Sequence, residues 1–138
     1  MKKQSLFLTS LLFVGGLVLT SMTIVRTNQE KPWVAPKKYQ KLENPVANAK
    51  DEERIGRILY IKHCKSCHGN KGHGDGTKAA SLDTKVPDFA SDAFKKDTDG
   101  SLFYKTTFGR EDMPSFEKKI PDDADRWWVV NYIKTLAK

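Results

Sequence analysis

The segment "HCKSCHGNKGHGDG", from His63 to Gly76, sets Cys64 and Cys67 three positions apart, places His68 directly after the second cysteine, and runs into a glycine-rich loop. Three chemistries draw on such a set: thiol–disulfide exchange, a zinc site, and covalent attachment of a haem. A thioredoxin-like pair calls for a preceding strand inside a βαβ pattern, and no such pattern is legible around these residues. Zinc would need four ligands, yet Cys64 and Cys67 are the only cysteines in the chain. The remaining ligands would come from His63, His68 or His73, crowded into one loop with nothing contributed by a distant segment. Haem attachment uses every residue of the motif. Positions three apart share a face on a helical turn, so both thiols can add to the vinyl groups of one porphyrin edge. His68 is then held over the iron as an axial nitrogen ligand.

An iron held in this way has a second axial position, whose ligand should come from far along the chain. Beyond the first 26 residues Met113 is the only methionine, and it lies in the polar loop "GREDMPSF" ahead of Pro114. A methionine is ordinarily core filler. A loop, however, can carry a thioether over the iron, and the proline would stiffen it. His73 and an open sixth position are the alternatives. His63 abuts Cys64 and is expected at the surface or in a loop, since it could hardly reach the opposite face.

The elements that must position these groups follow from periodicity. "DEERIGRILYIKHC", from Asp51, carries Ile55, Ile58 and Leu59 at helical spacing with acids in its first turn, where they complement the helix dipole. Gly56 costs about 1 kcal/mol relative to alanine inside a helix, which invites a packing explanation. A second helix fits "SLFYKTTF", with Asp97, Thr98 and Asp99 as candidate caps and Gly109 as its stop. A third, "DDADRWWVVNYIKTLAK", follows Pro121, begins in acids and ends in lysines. The stretch between the first two is rich in Gly, Asp, Lys and Pro without strand alternation. The expectation is an all-α domain with long loops whose centre is filled by something other than side chains.

The start of the chain differs in kind. Between Lys3 and Arg26 no residue is charged, and as a helix this run is about 30 Å long, enough to span a hydrocarbon core. Residues 1–26 read as an uncleaved membrane anchor in preference to a cleaved signal segment, because no clear small-x-small site is present. No cysteine follows the run, which excludes a lipid attached there. Residues 27–50, "TNQEKPWVAPKKYQKLENPVANAK", hold three prolines and many charges and read as an extended linker, with an ordered surface strap as the alternative. The domain proper is expected at 51–138. Removing Lys2, Lys3 and Arg26 from the 24 basic residues leaves 21 against 17 acids. This mild excess alternates with acids along the chain and lacks the basic face of a nucleic-acid binder.

From Asp51 to Lys138 the chain resembles a class I c-type cytochrome. "CKSCH" matches that family's attachment motif and "MPSF" its distal-methionine loop, while "GNKGHGDG" and "DRWWVVNYIKTL" look like the corresponding parts of many small bacterial members. The resemblance implies a cytochrome c fold, with three main helices and long loops around one covalent haem c held by Cys64, Cys67, His68 and Met113. It also implies that Gly56 and Tyr60 meet Val129 and Tyr132 of the last helix, and that the Pro87 carbonyl accepts a hydrogen bond from His68. Trp127, Trp128, Phe103, Tyr104 and Phe108 would line the haem or pack helices. Lys62, Lys65, Lys71, Lys118 and Lys119 would either steer an acidic partner or form a solvated surface.

Iron with His and Met has no vacant position, and a thioether favours the ferrous state. The expected function is a carrier of single electrons between respiratory partners, an oxidase, a reductase or another complex, with the haem domain outside the cytoplasm or in a periplasm. Its rivals are a peroxidase-like haem enzyme and a haem sensor with an exchangeable distal ligand. Arg110, Glu111 and Asp112 read as loop surface and offer no distal acid–base pair.

Overall fold

The computed structural model describes residues 32–138. The expected anchor, 1–26, lies outside the described residues, and among the described residues no helix is long and apolar enough to cross a membrane. Among the described residues six α-helices follow one another: α1 (Lys37–Gln40), α2 (Ile55–His63), α3 (Lys65–His68), α4 (Asp92–Lys95), α5 (Asp99–Phe108) and α6 (Asp123–Leu136), with a 3-10 turn at Ala79–Ser81 between α3 and α4. No strand forms among the described residues. This all-helical arrangement with long connections is consistent with the cytochrome c fold.

The first helix expected from the sequence starts four residues later than its acids suggest. Arg54 takes a left-handed conformation (φ 57°) that separates Glu52 and Glu53 from α2. Asp51 serves the helix from outside, its carboxylate accepting from the backbone N–H groups of Ile55 at 2.7 Å and Gly56 at 2.9 Å. Donors that have no intrahelical partner are thereby satisfied. For α5 the cap is Thr98, whose hydroxyl accepts from the Ser101 N–H at 3.2 Å. For α6 it is Asp122, which accepts from Ala124 at 2.8 Å.

The principal packing is α2 against α6, and Gly56 permits it. A Cβ there would collide with the Trp128 carbonyl and crowd Tyr132. One turn further along α2, the Tyr60 ring meets Tyr132 with centroids 5.2 Å apart. Tyr60, Val129 and Val130 are fully buried at this crossing, and Ile133 nearly so. Each such burial is worth about 1.5–3 kcal/mol, so the close approach outweighs the propensity penalty of the glycine.

Part of the expected linker is ordered. From Pro32 onward the chain belongs to the same compact unit as the helices, because its aromatic and amide side chains find partners there. Tyr39 packs on Tyr104 at 4.8 Å and on Phe108 at 5.5 Å. The Asn44 amide donates to Asp99 at 2.9 Å and to Asn131 at 2.8 Å, and Asn131 donates to the Val46 carbonyl at 2.8 Å. Trp33 lies under the cations of Arg110 and Lys105, at 5.0 and 5.7 Å. The described residues of 27–50 thus form a strap across α5 and α6, the alternative the sequence offered to an extended tether.

Candidate functional site

The attachment turn is built almost wholly from local hydrogen bonds. The Cys64 N–H closes α2 on the Tyr60 carbonyl at 2.8 Å, and the N–H groups of Cys67 and His68 both donate to the Cys64 carbonyl, at 3.1 and 2.9 Å. Cys64 to His68 therefore makes one helical turn, which keeps the two thiols to one side. The glycine-rich loop then doubles back: Gly74 N–H donates to His68 O at 3.0 Å, Gly76 to Cys67 O at 3.1 Å and Lys78 to Ser66 O at 2.8 Å. Buried Tyr60 donates its hydroxyl to the Gly69 carbonyl at 2.6 Å, tying the loop to α2.

Cys64 and Cys67 form no disulfide with each other. Burial, with a smaller contribution from Cys67, pushes the Cys64 thiol up to about 12. A redox-active dithiol needs the opposite shift, which counts against the thioredoxin-like chemistry. Zinc fares no better, since among the described residues no group of three or more His, Cys, Asp or Glu could hold a metal ion.

His68 stacks on Phe89, ring centroids 4.8 Å apart and planes 27° apart. Burial lowers its pKa to about 4, so the imidazole is neutral at pH 7, as an axial ligand must be. Its Nδ1 is buried without a partner. The bond expected from Nδ1 to the Pro87 carbonyl is therefore not made. The segment is held one step later, where the Phe89 N–H donates to Gly72 O at 2.8 Å and brings the Phe89 ring, not the proline carbonyl, onto the imidazole.

The distal loop is tied to the end of α5 and to one distant loop. It begins at Gly109 (φ 66°), where a Cβ would collide with the Met113 carbonyl and Pro114. Arg110 and Met113 then exchange backbone hydrogen bonds at 2.8 and 2.9 Å. The Thr107 carbonyl on α5 accepts from Ser115 Oγ at 2.7 Å, Phe116 N at 3.1 Å and Glu117 N at 3.2 Å. Met113 is half-buried and packs against the core cluster that contains Cys64, Phe89, Phe103 and Trp127. At the tip, Asp112 accepts from the Thr84 N–H at 2.7 Å and from its hydroxyl, joining this loop to the one that follows the attachment turn. These bonds hold the Asp112 carboxyl below the usual range.

The remaining candidates separate cleanly. His73 pairs with Asp88 at 3.1 Å at the surface. His63, expected at the surface or in a loop, instead ends α2 half-buried, its ring 6.0 Å from that of Phe116 and its Nε2 buried without a partner. Phe103 and Trp127 stack on each other at 4.1 Å, while Tyr104 and Phe108 receive the strap. Lys62, Lys65, Lys71, Lys118 and Lys119 are exposed.

The residues fit a haem. Two cysteines on one turn, an imidazole that burial keeps neutral, and a half-buried thioether against the same apolar cluster form the donor set of a c-type centre. The family model described as cytochrome C oxidase, cbb3-type, subunit III matches residues 51–133, from the aspartate that caps α2 to the last turns of α6. The chain belongs to this family. It is a class I c-type cytochrome domain. Among solved structures it is similar to a chain of the Kuenenia stuttgartiensis reducing HAO-like protein complex, at 26% identity and a TM-score of 0.59 over 70% of this chain and 50% of that one. It is also similar to the KustC0563 c-type cytochrome, at 26% identity and a TM-score of 0.52 over 60% of this chain and 98% of that one. The chain thus spans half the length of the first of these. No curated protein matches it.

Sequence reasoning missed Arg126, Phe116 and Phe89 as builders of the site. Arg126 left a signal: it stands one turn before Val130 and two before Ile133, on the stripe of α6 that is buried.

Proposed function

We propose that this cytochrome carries single electrons between respiratory redox proteins, with one haem c bound through thioethers from Cys64 and Cys67 and with His68 and Met113 as the axial ligands. Bound there, the haem supplies a reversible one-electron ferric–ferrous couple. The chain's own part is to hold the group and exclude other chemistry. The attachment turn presents the thiols, Phe89 orients the imidazole by stacking, and burial keeps it neutral. The distal loop brings a thioether to the same cluster, and closing the sixth position with it leaves no place for a substrate. The uncharged run at 4–25 supports a membrane tether with the domain on the outer side of the cytoplasmic membrane. The exposed lysines support an acidic redox partner.

The observation that carries this reading is the single helical turn that sets Cys64 and Cys67 beside His68, whose imidazole burial keeps neutral. A second reading, a subunit of a larger redox assembly, is favoured by the match to half of a chain from a reducing HAO-like complex. The test is covalency: protein matured in a host that assembles c-type haem should retain haem through denaturing electrophoresis and acid-organic extraction, and Cys64→Ala with Cys67→Ala should lose it. Haem extracted in full from the wild type, with both thiols open to alkylation, would overturn the proposal.

A further inference from the structure

Arg126 is only 4% exposed, on the face of α6 that otherwise carries Val130 and Ile133. A guanidinium in such a place is destabilising unless its donors are used. Here Nη1 donates to the Ile120 carbonyl and, at 3.5 Å, to the Glu117 carbonyl, while Nη2 pairs with Asp123 and Nε is buried without a partner. The guanidinium carbon lies 5.5 Å from the centre of the Phe103 ring. Two of these partners are backbone carbonyls of the segment that directly follows Met113. That segment is one piece, because Ile120 N–H donates to Phe116 O at 2.8 Å and both side chains are buried. Its near end hangs from the Thr107 carbonyl of α5, so the chain from Met113 to Ile120 is fastened to α5 at one end and to α6 at the other.

We propose that Arg126 is the clasp of the distal loop, a positioning residue that keeps Met113 at the site by binding the carbonyls that follow it. The proposal rests on the reading of Met113 as an axial ligand. An apolar side chain would suit the buried stripe at least as well for stability. It would, however, leave the Glu117 and Ile120 carbonyls without a donor and free the far end of the loop. A lysine could offer a point charge to one carbonyl but not the planar fork that serves both and Asp123.

The experiment uses the full-length, haem-loaded protein and its Arg126→Gln, Arg126→Lys, Asp123→Asn and Met113→Ala variants. Two readouts are followed: the sulfur-to-iron charge-transfer band of the ferric form during a urea titration, alongside far-ultraviolet helicity, and the rate of carbon monoxide binding to the ferrous form. Loss of a hydrogen bond to a charged donor raises the open population about 10- to 100-fold. Arg126→Gln should therefore bind carbon monoxide faster by about that factor and lose the band at lower urea than its helices. Arg126→Lys should fall between, and Asp123→Asn, which keeps both carbonyl bonds, should match the wild type. A rate in Arg126→Gln within about twofold of wild type, with band and helicity lost together, would overturn the clasp. So would equal acceleration in Asp123→Asn, which would assign the effect to the ion pair. Should Arg126→Gln fail to fold, Arg126→Lys decides by the same two signals. Failure of the ligand reading itself looks different, since the wild type would then show no sulfur-to-iron band and Met113→Ala would leave its spectrum and its rate of carbon monoxide binding unchanged.

Discussion

The attachment turn and the distal loop flank one apolar cluster and reach their shapes by different routes. From Tyr60 to Lys78 most bonds that shape the turn lie within the segment itself, such as Gly76 to Cys67 and Tyr60 to Gly69, with Phe89 N–H to Gly72 O as a tie from outside. From Gly109 to Ile120 the chain borrows its form from elsewhere: the Thr107 carbonyl, Thr84 on a separate loop, and Arg126 on the last helix. A segment held by local bonds keeps its geometry when the rest of the protein loosens, whereas one held by tertiary contacts opens first. The two halves of the site should therefore differ in how they fail.

The largest effect expected from this difference follows removal of the distal thioether. Met113→Ala should keep its haem on Cys64 and Cys67, because attachment and distal ligation are separate bonds. Its potential should fall by on the order of 0.1 V and its ferrous iron should bind carbon monoxide readily. Potentiometry and carbon monoxide difference spectra of the purified variant check both. An unchanged spectrum and potential would remove Met113 from the iron. His73, paired with Asp88 at the surface, would then have to move to replace it.

Next in size is the helix crossing that supports both halves. On propensity alone Gly56→Ala should stabilise α2 by about 1 kcal/mol. The crossing predicts the reverse, since the new Cβ meets the backbone carbonyl of Trp128, which cannot swing aside as a side chain would. The net expectation is a loss of about 1–3 kcal/mol, a fall of roughly 4–8 °C in melting temperature for each kcal/mol. A calorimetric melt that rises in this variant would show that the helices can separate without cost.

These contrasts also explain what could be read before the structure. The single turn that carries Cys64, Cys67 and His68, the cap of α5 and the packing role of Gly56 were legible, because each announces itself by residue type at a fixed spacing. The start of α2 was misplaced, since nothing in the residue type of Arg54 declares a left-handed conformation. The Pro87 bond was mistaken because it depends on how a long loop returns to the imidazole, and there Phe89 arrives instead. The strap was read as a tether because prolines and charges dominate its composition, whereas its order comes from Trp33, Tyr39 and Asn44 meeting residues far along the chain. Arg126 donates to the carbonyls of Ile120 and Glu117, and Thr107 accepts through its own carbonyl from residues 115–117, bonds between elements that no residue pattern encodes.

The smallest expected effect separates the strap from the site. Asp99 accepts from Asn44 of the strap and pairs with Lys134 of α6. Burial raises its pKa, but the bonds from Lys134 and Asn44 outweigh this and leave the carboxyl below its usual value. A group whose pKa is lower folded than unfolded contributes its full stability above the unfolded carboxylate value, near pH 4, and loses it as the pH falls through the folded value. Since the pair is partly open to water, the contribution is about 0.5 kcal/mol. Wild type should thus melt slightly higher than Asp99→Asn at pH 6, and the gap should close as the pH falls below about 4. Through that same interval the strap should loosen while the sulfur-to-iron band stays, because none of the bonds that hold the distal loop to Thr107 or Arg126 involves Asp99. Loss of the band in step with the closing gap would mean that the strap and the distal loop form one cooperative unit.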